Sequence, residues 1–213
     1  VSKKMLYLLG ALLSLSIITA CAADKELSTD KDSTSSTESE HSSNNKESEN
    51  FYHDSVIQKD MGEKKMLDKK EGIGESHRLG DTIVTLDGYQ FTEFTPNEEQ
   101  KQRFKDFNSV VLLTIKYTLD NQTQSEIGLG NIKSTLTVDG SWWMENDSTL
   151  TNYKDSGIEA GNKGELLQVF VLDKKQYDKM WGEKTFDIEL GPLRGIEETE
   201  DISNGERVVF QIS

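Results

Sequence analysis

The chain has 213 residues, 34% of them hydrophobic, and its 24 Lys and Arg against 38 Asp and Glu give a formal net charge of −14. So acidic a chain is repelled by nucleic-acid backbones and by anionic lipid headgroups, which argues against both as partners held by charge. A single cysteine excludes a disulfide framework, and the three histidines, His41, His53 and His77, match no zinc-ligand spacing.

At the start, Lys3 and Lys4 precede a run from residue 5 to residue 18 that is apolar apart from Ser14 and Ser16. About 14 residues is too short for a membrane span, which needs roughly 20. A charged start, a short apolar stretch and a small-residue exit describe an export signal. The exit, Ile18-Thr19-Ala20-Cys21, resembles the lipobox of bacterial lipoproteins. That resemblance implies residues 1–20 as a lipoprotein signal peptide, cleavage after Ala20, a diacylglyceryl group on the Cys21 sulfur and a further acyl chain, such as palmitate, on the new N-terminus. Two or more acyl chains give stable anchoring where one does not. The expected location is therefore the extracellular face of the bacterial cell membrane, lipid-anchored.

Residues 21–76 read as a lipidated, disordered polar tether. Residues 31–50 are almost wholly Ser, Thr, Asn, Glu, Asp and Lys, with His41 the one other type. Such a segment cannot bury enough apolar surface to offset its ordering entropy. As a flexible chain, about 55 residues span on the order of 40 Å. Met61, Met66 and Leu67 suggest at most a helical turn within residues 54–70. Gly72-Ile73-Gly74 reads as a hinge, since no strand precedes it and no third glycine completes a dinucleotide fingerprint.

Residues 77–213 form one domain with a net charge of −10, from 14 Lys and Arg against 24 Asp and Glu. The periodicity here is two. Asp87-Gly88 lies between apolar runs at residues 82–86 and 89–94 and reads as a hairpin turn. Thr95-Pro96-Asn97-Glu98 has the form of a capping box with proline at the first helical position, predicting a helix to Phe107 that docks Phe104 and Phe107. Residues 109–119 carry Val111, Leu113, Ile115, Tyr117 and Leu119 on one face, while Val110 and Leu112 make the other apolar at its beginning. A strand covered on both sides at its start is the expectation. Asp120-Asn121-Gln122 is turn chemistry, and Asp139-Gly140 is a hairpin turn after Leu136 and Val138. Strands at residues 166–172, 185–190 and 207–212 follow, with a short helical turn at residues 174–181 packing Tyr177 and Trp181. About eight strands separated by turns make an all-β antiparallel sandwich.

Leu79-Gly80-Asp81-Thr82, the long strand ending at Asp120-Asn121, Val138-Asp139-Gly140, and Ala160-Gly161 leading to Val169-Phe170-Val171-Leu172 resemble a known group. These are the immunoglobulin-like extracellular domains of Gram-positive lipoproteins of unknown function, some similar to an immunoprotective mycobacterial antigen. The resemblance implies an immunoglobulin-like β-sandwich and carries no catalytic residues; the short helix expected at residues 95–107 departs from the group's pattern as an insertion. Ala160 departs from it, standing where the group has proline.

The residues announce no chemistry. Cys21 is committed to lipid, His41 and His53 lie in the tether, and His77 has no partner nearby in sequence, so no nucleophile sits beside a base. No pair among the many carboxylates is singled out as a glycosidase dyad. Asp139, Asp147, Asp155 and Glu159 are candidate calcium ligands, although no Asp-x-Asp-x-Asp-Gly loop surrounds them and solvated loop acids are the plainer reading. Trp142-Trp143, with Tyr153 ten residues on, is the candidate partner contact. Neighbours in a strand point to opposite faces, so burying one tryptophan exposes the other unless a loop covers both.

The sequence thus predicts a membrane-anchored, non-enzymatic binding module without cofactor, presenting its sandwich to an envelope or extracellular protein. Its alternatives are a small-ligand carrier with a pocket in the sandwich, and an inhibitor or chaperone of an exported enzyme. An internal apolar cavity favours the carrier; an exposed aromatic over a filled core favours the binding module.

Overall fold

The computed structural model describes residue 52 and residues 60–104, 107–150, 156–197 and 199–213. The signal peptide, Cys21, His41 and His53 lie outside the described residues.

Among the described residues ten strands follow one another: β1 (Gly62–Leu79), β2 (Thr82–Pro96), β3 (Val110–Asn121), β4 (Ile127–Gly128), β5 (Ser134–Val138), β6 (Trp142–Glu145), β7 (Gly157–Ile158), β8 (Lys163–Asp173), β9 (Phe186–Leu190) and β10 (Val208–Ile212). One sheet has the order β1-β2-β3-β8, a second β10-β9-β5-β6, and β4 and β7 form a small pair between them in sequence; every pairing is antiparallel. The β2-β3-β8 and β10-β9-β5-β6 orders are the A-B-E and G-F-C-C′ sheets of an immunoglobulin-like sandwich, with β1 added outside the first.

The alternation predicted for β3 is present. Val111, Leu113, Ile115, Tyr117 and Leu119 face the second sheet and are fully buried. There they meet Leu136 and Ile188, and Phe210 stacks on Tyr117 with ring centroids 5.5 Å apart. On the other face, Val110 and Leu112 join Phe94, Phe104, Leu150 and Val169 in a second, smaller cluster. Each such apolar side chain contributes roughly 1.5–3 kcal/mol on burial.

Three expectations are corrected. Asp87-Gly88 is not a hairpin turn: β2 runs through it, with a bulge between Leu86 and Gly88. Glycine is required because a Cβ at position 88 would stand 2.4 Å from the Lys70 carbonyl oxygen. The hairpin is at Gly80-Asp81, where Gly80 takes a left-handed φ of 59°. The inserted helix is present only as a short 3₁₀ turn, Lys101–Phe104. Thr95 and Pro96 are used by the sheet, paired with Glu63 and Gly62, so the cap passes to Asn97, whose Oδ1 accepts from the Gln100 amide at 3.0 Å.

The third correction is that the sheet begins before residue 77. Residues 62–76 form most of β1, not a helical turn followed by a hinge. Register shifts lie between Met66 and Asp68 and between Glu71 and Glu75. Each bulge turns one extra apolar side chain, Leu67 and Ile73, onto the core. Gly72 and Gly74, at φ 67° and 71°, supply the backbone freedom for the second. Alternating charges hid the strand because most of its remaining side chains face solvent.

Asn121 fastens the crossing between sheets. It is fully buried, and its Nδ2 lies 2.9, 2.9 and 3.2 Å from the carbonyl oxygens of Ser125, Ile158 and Glu159. Its Oδ1 accepts from the Thr123 amide at 3.1 Å and hydroxyl at 2.7 Å. Asn121→Asp sets a carboxylate oxygen among those carbonyls. Urea unfolding should show a loss of roughly 3 kcal/mol; a loss below about 1 kcal/mol contradicts the role. Tyr117 is the opposite case, with a buried hydroxyl that has no hydrogen-bond partner among the described residues. Burial holds its ionisation well above the ordinary tyrosine range. Tyr117→Phe should leave stability unchanged or raise it by up to about 1 kcal/mol.

Candidate functional site

The two sheets treat their outer faces differently. On the first sheet, residues 101–104 and 148–150 cover one end through Phe104 and Leu150. Farther along, Gln90 and Thr92 are fully buried, Gln90 Nε2 donating to Thr92 Oγ1 at 2.6 Å and Oε1 accepting from the Tyr52 amide at 3.0 Å. The Tyr52 hydroxyl donates to Glu71 at 3.1 Å, and Lys69 Nζ sits 4.5 Å from its ring centroid. Burial and that carboxylate push the Tyr52 phenol upward. The charged groups beyond are matched, Lys116 with Glu165 at 2.6 Å and Lys163 with Asp120 at 3.1 Å. This face satisfies itself.

The outer face of the second sheet is open. Strand register sets two rows across it: Gln211, Asp187, Thr137 and Trp143, then Val209, Glu189, Thr135 and Glu145. Trp143 is 67% exposed at one edge and Val209 51% exposed at the other. Trp142 points inward, half-buried, its ring 4.2 Å from that of Trp181, which is itself buried. The helical turn predicted at residues 174–181 is present: Lys174–Gln176 runs into the wider turn Tyr177–Trp181 and delivers that ring. Of the two outcomes the sequence left open, one tryptophan is therefore in and one is out. Asp139 and Gly140, at φ 51° and 66°, make the turn that presents them.

Beside these rows lies a cleft of about 490 Å³, lined by Lys133, Thr135, Glu145, Pro192, Arg194 and Arg207 among others. Sequence reasoning did not select its three cations. They stand at positions 133, 194 and 207, far apart in the chain, and only the entry to β5, the exit of β9 and the entry to β10 bring them to one end of the sheet.

The calcium candidates do not converge. Asp139 pairs with Lys184 at 2.9 Å, Asp147 accepts from the Thr149 amide and hydroxyl at 2.9 and 2.6 Å, and Glu159 accepts from Asn162 at 3.1 Å. No group of metal-ligating side chains occurs among the described residues, and Asp155 and Tyr153 lie outside them. His77 sits on β1, edge-on to Phe210 at 4.8 Å and 2.7 Å from Glu75. No helix of the described residues is long and apolar enough to cross a membrane.

No family profile matches the chain, and no curated protein is similar to it. Solved structures are. A functionally unknown protein from Listeria monocytogenes shares 11% identity over 75% of this chain and 90% of its own, with a TM-score of 0.53. An uncharacterized beta-sandwich protein from Clostridium difficile shares 13% over 70% of this chain and 99% of its own, at 0.43. A Bacillus subtilis protein described as a "putative lipoprotein (ycdA)" shares 15% over 68% of this chain and 39% of its own, at 0.39. The Listeria likeness is one of fold. The likeness to the mycobacterial antigen finds no support among these proteins.

The geometry separates the tryptophans energetically. Trp142→Ala should cost about 2 kcal/mol or more and alter the fluorescence of Trp181. Trp143→Ala should change stability by no more than about 0.5 kcal/mol. Thermal unfolding of the two variants checks this, and equal losses contradict the assignment.

Proposed function

We propose that this protein is a non-enzymatic, surface-anchored binding module. Cys21 carries the lipid, the residues after it act as a tether, and the outer face of the second sheet meets an envelope or extracellular protein. The observation that carries the reading is Trp143, two-thirds exposed on an open sheet face while its neighbour packs inward. A rigid aromatic with few rotamers is a favoured anchor at protein interfaces.

Two further observations support it. Aromatic side chains bridge the space between the sheets, Phe91 lying 5.3 Å from Phe186 and Tyr117 5.5 Å from Phe210. That packing favours a binding module over a carrier with its ligand between the sheets. The first sheet's outer face is occupied by the chain's own residues, which leaves the second sheet as the surface on offer.

A pull-down from bacterial envelope extract with the full chain tests the reading. A protein captured by the wild type and lost with folded Trp143→Ala is the expected result; capture indifferent to Trp143, or none, counts against it. For the anchor, Cys21→Ser should move the chain from the detergent phase to the aqueous phase on detergent partitioning. Retention in the detergent phase contradicts lipidation.

A further inference from the structure

We propose that the cleft at the end of the second sheet is a binding site for a small oxyanion, a phosphate or carboxylate group, gripped between Lys133 and Arg207 with Arg194 behind them. The register places these groups. Val208, Leu190 and Ser134 form the last paired row across β10, β9 and β5. One residue farther, Arg207 and Lys133 flank Gly191, whose amide donates to the Lys133 carbonyl at 3.1 Å. Two strand spacings put the backbones of the two cations about 9–10 Å apart. Between them stands a residue without a side chain. Long basic side chains on either side of such a gap can close on one anion.

The electrostatics single the place out. The chain carries −14 overall, yet among the described residues the cleft is lined by three cations and one carboxylate, Glu145, with Glu189 beside it on Arg207. A concave site with an excess of one sign, walled by protein, focuses its field on a ligand. Lys133 is exposed and has no ion-pair partner among the described residues. Arg207 donates to Glu189 at 2.9 Å through Nη1, and its Nε and Nη2 make no hydrogen bond among the described residues. A guanidinium has five donors in a fixed fork, so one edge can hold Glu189 while the other receives an oxyanion. The volume, about 490 Å³, lies within the range of small-ligand sites, roughly 300–1,000 Å³.

Thr135 and Glu145 belong both to this cleft and to the open face, but Trp143, which carries the protein-binding reading, does not line it. Titration of the ¹⁵N-labelled full chain with inorganic phosphate in one series and citrate in another tests it by amide chemical shifts. Shifts should cluster at residues 133–135, 191–194 and 207, saturate by about 10 mM anion, and weaken with added salt. Lys133→Glu should reduce the affinity at least tenfold while the remaining spectrum stays that of the folded chain, and Trp143→Ala should leave it unchanged. Saturation with phosphate alone assigns a phosphate ligand, and with citrate alone a carboxylate. Shifts scattered over the surface, no saturation with either anion, or equal affinity in Lys133→Glu would overturn the proposal.

Discussion

The double burial of β3 is the constraint on which the sandwich turns. Residues 110–113 alternate between two apolar clusters, so the first sheet must be covered on both faces where β3 begins. Residues 101–104 and 148–150 meet that demand locally, and the Tyr52 amide reaches the buried Gln90 farther along the same face. The second sheet has no strand of that kind. Its members β5, β9 and β10 alternate strictly between buried and solvent-facing residues, a pattern that leaves one face open.

From that asymmetry follows the position of every candidate contact. The polar and charged residues of the covered face find partners within the sheet. On the open face Arg207 pairs with Glu189 and Gln211 with Asp187, each at 2.9 Å, and the exposed ring of Trp143 stands at one edge with Val209 at the other. The basic cleft arises at the end of the same sheet because three chain crossings meet there. Fold and surface are thus two consequences of one division of apolar residues between the sheets.

Much of this was legible in the sequence. Period-two runs gave β3, β9 and β10, Asp139-Gly140 marked the β5–β6 turn, and the parity of adjacent residues posed the question about Trp142 and Trp143 correctly. The failures have physical causes. The strand β1 was hidden because two bulges break its alternation and charged residues occupy most of its length. Thr95-Pro96 looked like a helix start because local capping chemistry is blind to a partner strand 32 residues earlier, at Glu63. After Asp87, Gly88 has the local signature of a turn residue, whereas its need is room for the Lys70 carbonyl. The cleft could not be read at all, since no local pattern links positions 133, 194 and 207.

The central claim is that the open face of the second sheet is the working surface and the covered face of the first is structural. Site-specific photo-crosslinking in envelope extract tests it most directly, with the reactive group placed at position 143, at position 209, or at Lys163 on the outer face of the first sheet. The account predicts one crosslinked species shared by positions 143 and 209 and absent from 163. A species formed from position 163 and from neither of the others would contradict it.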